Sequence, residues 1–213
     1  MLLTEKFIRK APKNITLHDF CTGVTKAIRK EYKKSLLPLL QEHPEERLTA
    51  SAVIFSRVNR QIWMIGDCQC LVNGTLYDNP KPYEDELAEE RAAFILKEMD
   101  KNPSYTDDGT ARKRIIPKML QAMKEQNVNY AVIDGFPIPE QHIRTITLDF
   151  QPWEIVLASD GYPRLEATLE ESEGALQTII QSDPMMIRLH KATKGIKEGN
   201  NSFDDRAYIR FKA

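Results

Sequence analysis

Two carboxylates stand where apolar runs meet polar turns. Asp160 closes the run Glu154-Ile155-Val156-Leu157-Ala158-Ser159 and is followed by Gly161. Asp204, in Phe203-Asp204-Asp205-Arg206, precedes Ala207-Tyr208-Ile209-Arg210-Phe211. A short unbroken apolar run closed by Ser-Asp-Gly reads as a buried strand that delivers its carboxylate to an exposed end. Carboxylates carried to strand ends from distant parts of a chain are what hard cations collect. If two of them converge unpaired, repulsion amounts to about 4 kcal/mol at roughly 4 Å in an effective dielectric near 20, so a cation or a base is expected between them. Gly161 would let the backbone turn sharply, or approach a ligand closely, just after Asp160. For a single strand-end aspartate a turn or cap role is the simpler account, so the chemistry depends on the company these residues keep.

Other chemistries have less behind them. Cys68 and Cys70 fall on one face of a strand, but no second Cys/His pair lies nearby, and small apolar packing explains them better than a soft metal. His18, His43, His142 and His190 form no metal-spacing motif, and there is no nucleophile elbow, phosphate loop or dinucleotide fingerprint. Thirty Lys+Arg against 31 Asp+Glu leave a formal charge of −1, so no global field draws the protein to nucleic acid or to a membrane. No apolar run approaches the roughly 18 residues of a membrane span, and the first residues turn charged too soon for a signal peptide. Three cysteines are too few for a disulfide framework, and a cytoplasmic location is expected.

The elements that must position the aspartates read as one α+β domain over 1–213, with a helical segment 1–48 ahead of a strand-rich core 49–213. Residues 1–14 are basic and show no clear element. Thr16-Leu17-His18-Asp19 opens a helix with Leu17, Phe20, Val24, Ala27 or Ile28, and Glu31 or Tyr32 in register, and its cations form a solvated face. Strands follow at 49–56, 61–67, 68–72 and 75–77, the last two joined by Asn73-Gly74, a strong hairpin signal. A helix is expected over 83–99, a loop over 100–113, and a helix over 114–126 with Ile116, Met119, Leu120 and Met123 inward. Asn129–Ile133 reads as a strand ending in an Asp134-Gly135 turn, and 142–148 and 153–159 as further strands. Thr168-Leu169-Glu170-Glu171 is a second capping box, and Asp183-Pro184 is expected to start another helix. Strands that run as an antiparallel meander exclude a doubly wound parallel sheet.

Four landmarks in order resemble the metal-dependent protein phosphatases of the PPM (PP2C-like) family. Thr49-Ala50-Ser51-Ala52 is similar to its small-residue strand, Gly66-Asp67-Cys68-Gln69 to its Gly-Asp-Ser-Arg motif, Leu157-Ala158-Ser159-Asp160-Gly161 to its Leu-Ala-Ser-Asp-Gly motif, and Asp204-Asp205-Arg206-Ala207 to its terminal acidic strand. The resemblance implies an antiparallel β-sandwich flanked by helix pairs in α-β-β-α layers. It also implies Mn²⁺ or Mg²⁺ at one end, where metal-bound water attacks a phosphoserine or phosphothreonine. Asp160 and Asp204 would be ligands of the principal metal site and Asp67 of an additional one. The partner would be a phosphoprotein or a phosphorylated small molecule. Departures accompany the match: the family's first acidic strand and its Asp-Gly-x-Gly strand have no counterpart before Thr16, Arg164 stands where another metal aspartate is common, and Cys68-Gln69 replaces Ser-Arg. Two expectations follow. Either the chain is an N-terminally incomplete phosphatase, weak or inactive as it stands, or it is a catalytically silent binding or regulatory module. Sheet edges left open by missing strands would favour a homodimer.

Overall fold

The chain begins helical. A computed structural model describes residues 2–150, 152–197 and 199–213, and in it α1 (Leu2–Lys10) packs on α2 (Leu17–Arg29). The basic stretch that showed no clear element thus carries a helix, because Leu3 and Phe7 share one of its faces and reach the core laid down by α2. Phe7 meets Phe20 edge-on at 5.8 Å. Its ring lies against Gly23, where a side chain would collide with it. Thr16 caps α2, its hydroxyl accepting from the Asp19 amide at 3.1 Å.

Two antiparallel sheets follow. β1 (Ala52–Ser56), β2 (Gln61–Ile65) and β5 (Arg144–Thr147) form one in the order β1-β2-β5. β3 (Gln69–Val72), β4 (Thr75–Asp78), β6 (Glu154–Ala158) and β7 (Tyr208–Lys212) form the other in the order β4-β3-β6-β7. Alternation decides which face goes where. Ile62 and Met64 of β2 meet Cys70, Val72, Ile155 and Leu157 in one core shared by both sheets. Trp63 and Ile65, pointing the other way, pack under Phe20, Val24 and Ile28 of α2. Each such fully buried side chain is worth roughly 1.5–3 kcal/mol of transfer free energy. At the β3–β4 turn, Asn73 and Gly74 both have positive φ (48° and 80°), as a two-residue type I′ hairpin requires.

The remaining helices are α3 (Leu37–Glu42), α4 (Glu84–Lys101), α5 (Thr110–Met123) and α6 (Leu169–Ser182), the last with both halves of its capping box formed by Thr168 and Glu171. Three expectations need correcting. α5 starts four residues early, packs Ala111 against Ala92 and Ile95 of α4 and buries Ile115, leaving Ile116 and Leu120 exposed. Asn129–Ile133 contributes isolated bridges rather than a strand, and Asp134 is buried on an ion pair with Arg47 at 3.0 Å. Asp183 starts no helix. Its carboxylate accepts from the Ile187, Arg188 and Leu189 amides at 2.7–3.1 Å, with Met186 in the left-handed region between them. No helix among the described residues is long and apolar enough to cross a membrane.

Candidate cation cleft

Strand register brings the aspartates together. β3 pairs with β6 so that Gln69 faces Ala158, and continuing that ladder sets Asp67 opposite Asp160. Gln69 ties the extension down, its side-chain amide donating to the Tyr162 carbonyl at 2.8 Å and the Ser159 carbonyl at 3.3 Å. On the other side of β6, Ser159 clamps the segment leading into β7. Its amide donates to the Ala207 carbonyl at 3.1 Å, while its hydroxyl donates to the Asp205 carbonyl at 3.2 Å and accepts from the Ala207 amide at 3.0 Å. Gly161 makes that approach possible. A Cβ at this position would overlap the Asp205 carbonyl oxygen. The close approach read from Gly161 is therefore made by the protein's own backbone, and its effect is to hold Asp160 beside Asp204.

Asp67, Asp160 and Asp204 line a cleft of about 260 Å³ together with Asp78, Glu84 and Asp85. Lys191 on its wall is engaged with Glu89 at 2.5 Å, so the lining is strongly acidic. Asp160 registers this field. Burial, then the charges of Asp67, Asp204 and Glu84, push its carboxyl from 3.8 up to about 7, against the pull of Lys81. The residue as a whole is open to solvent, so water screens part of that repulsion even though the carboxylate is crowded by protein. No hydrogen bond or ion pair to the Asp160 carboxylate is found among the described residues.

Its two companions are differently placed. Asp67 accepts from the Ser51 hydroxyl through one oxygen and from the Lys81 ammonium through the other. Burial alone would raise its carboxyl; Lys81 and Ser51 outweigh burial and hold it below the ordinary value. Asp204 accepts from Lys194 at 2.6 Å and from the Asp205 amide at 2.8 Å. Glu84, at the start of α4, lies 3.4 Å from the Lys81 ammonium and is raised by burial, which Lys81 only partly opposes. Buried between these acids, Lys81 is held in its charged form. Arg164 pairs with Glu166 at 2.5 Å.

No family model matches the chain, and neither do curated proteins or solved structures. What the cleft can hold is therefore argued from its donors. Mn²⁺ or Mg²⁺ needs several oxygens free to converge on one point. Both Asp67 oxygens are engaged, Asp204 gives one oxygen, Oδ1, to both Lys194 and the Asp205 amide, and among the described residues no three His, Cys, Asp or Glu side chains are grouped to hold an ion. The side chains present do not fit a divalent centre. The three aspartates expected from the sequence line one cleft, and Lys81 beside them was not anticipated. Its signal was available: the Asn73-Gly74 hairpin pairs Gln69 with Asp78, and two or three residues further along that register stand Pro80 and Lys81, across from Asp67 and Gly66.

Proposed function

We propose that this chain is a PPM-type (PP2C-like) domain serving as a catalytically silent binding or regulatory module for a phosphoprotein or phosphorylated small molecule. Support for the family comes from the convergence of Asp67, Asp160 and Asp204, quoted from three separate motifs, at one end of two facing antiparallel sheets. The single observation that carries the silent reading is the pairing of Asp67 with Lys81 and of Asp204 with Lys194, which leaves Asp160 as the one unpaired member of the three. An adjoining open cleft of about 880 Å³ carries Lys197 on its wall, a cation a phosphoryl group would meet, beside the Lys194–Asp204 pair.

The phosphatase reading, Mn²⁺- or Mg²⁺-dependent hydrolysis of phosphoserine or phosphothreonine, is favoured by one observation: the acidic lining that drives Asp160 up to about 7 is a field a divalent ion would relieve. Turnover of p-nitrophenyl phosphate and of a phosphothreonine peptide in millimolar Mn²⁺ separates the two. The silent module gives no turnover above an Asp160→Asn variant. Mn²⁺-dependent turnover that disappears in Asp160→Asn would replace it with the phosphatase.

A further inference from the structure

We infer that Lys81 is a tethered counter-ion, built into the fold to hold Asp67 from the edge of the cleft and to exclude a free divalent ion from it. Taken with the reading above, this names one of the two lysines, beside Lys194 on Asp204, that keep the site silent. The loop that carries Lys81 is constructed for the purpose. Asn79-Pro80-Lys81-Pro82 places a proline on either side of the lysine, and residues preceding proline are held extended, so the backbone has little freedom to withdraw the side chain. Asn79 pins the loop to the turn between β2 and β3, its side-chain amide donating to the Gly66 carbonyl at 2.8 Å. Gly66 has φ of 79° and lies directly against Ser51, where any Cβ would collide; the same Ser51 donates to the first oxygen of Asp67. The second oxygen receives the ammonium of Lys81, whose side chain is only 17% exposed.

A surface lysine that happens to meet an acid would be mobile and replaceable by water. This one is enclosed, faces two acids, Asp67 and Glu84, and hangs from a loop that two prolines stiffen and Asn79 anchors. A divalent ion at Asp67 would have to displace the ammonium or accept a like charge at contact distance. Either requirement opposes binding strongly in a partly buried site.

The test is Mn²⁺ titration by calorimetry and by thermal melting of the wild type, Lys81→Met and Lys81→Arg. Expected are no Mn²⁺ heat and no Mn²⁺-dependent change in Tm for the wild type and for Lys81→Arg. For Lys81→Met the expected results are a lowered Tm, recovery of that Tm in Mn²⁺, and binding tighter than wild type by at least about tenfold. Adding Asp67→Asn to Lys81→Met should abolish the gain. Lys81→Met is also refolded with and without Mn²⁺. Folding only with the ion counts for the inference, and failure under both conditions counts against it. Wild-type binding as tight as that of Lys81→Met overturns it, as does a folded Lys81→Met that ignores Mn²⁺. Mn²⁺-dependent turnover by the wild type would remove this inference and the silent-module reading together, whereas Mn²⁺ indifference in folded Lys81→Met would remove this one alone.

Discussion

Asp160→Asn should make the protein more stable, and only above mildly acidic pH. The carboxyl rises from 3.8 to about 7 because burial and the charges of Asp67, Asp204 and Glu84 disfavour its ionised form. The folded state therefore binds the Asp160 proton more tightly than the unfolded chain does. Below about pH 3.8 the group is neutral in both states and the substitution gains nothing. As pH climbs from there to about 7 the folded protein must carry a charge it resists, and the penalty grows until it levels off. Unscreened, a shift of that size corresponds to about 4 kcal/mol. Asp160 is solvent-exposed, so a gain of about 1–2 kcal/mol is expected after screening. Urea unfolding of both proteins between pH 4 and pH 8, in a chelating buffer, measures the difference directly. Asp67 and Glu84 titrate in both proteins, and much of their contribution cancels. A gain that is already full at pH 4, or no gain at pH 8, would mean that the carboxylates do not crowd one another as described.

Three further outcomes follow from particular contacts. Gly161→Ala should cost about 1–3 kcal/mol in urea unfolding, because the new methyl must push the Asp205 carbonyl away; a neutral result would show that this approach is not tight. Arg47→Ala should cost about 3–5 kcal/mol, since it strands the fully buried Asp134 without its partner, and a loss below about 1 kcal/mol would contradict the burial of that pair. Cys21, Cys68 and Cys70 are buried, and desolvation pushes each thiol up to about 12, so none should react with a thiol reagent at pH 8 until the protein unfolds.

Features that depend on local pattern were legible. The hairpin at Asn73-Gly74, the caps at Thr16 and Thr168 and the strand ending at Asp160 each announce themselves within a few residues. Asp67 and Asp204 were legible only as members of an ordered set of motifs. What failed depended on partners far along the chain. Arg47 and Asp134 are 87 positions apart, and nothing local shows that the aspartate will be buried on an arginine. Asp183-Pro184 has the look of a helix start, but its buried carboxylate gathers three amides that a helix would have directed along its axis. The inward face of α5 was misjudged by one residue, Ile116 in place of Ile115, because the helix starts earlier and is set on α4 by Ala111 against Ala92. Lys81 was overlooked because a lysine between two prolines reads as a polar loop; only the hairpin register sets it across from Gly66, next to Asp67.

The account stands or falls on what occupies the cleft between Asp67, Asp160 and Asp204. Crystals of the wild-type protein soaked in MnCl₂, with diffraction data collected at the manganese absorption edge, would show it. The account predicts no anomalous peak at the three aspartates and the Lys81 ammonium seated on Asp67. A strong peak bound by Asp160 and Asp204, with Lys81 turned away, would contradict it.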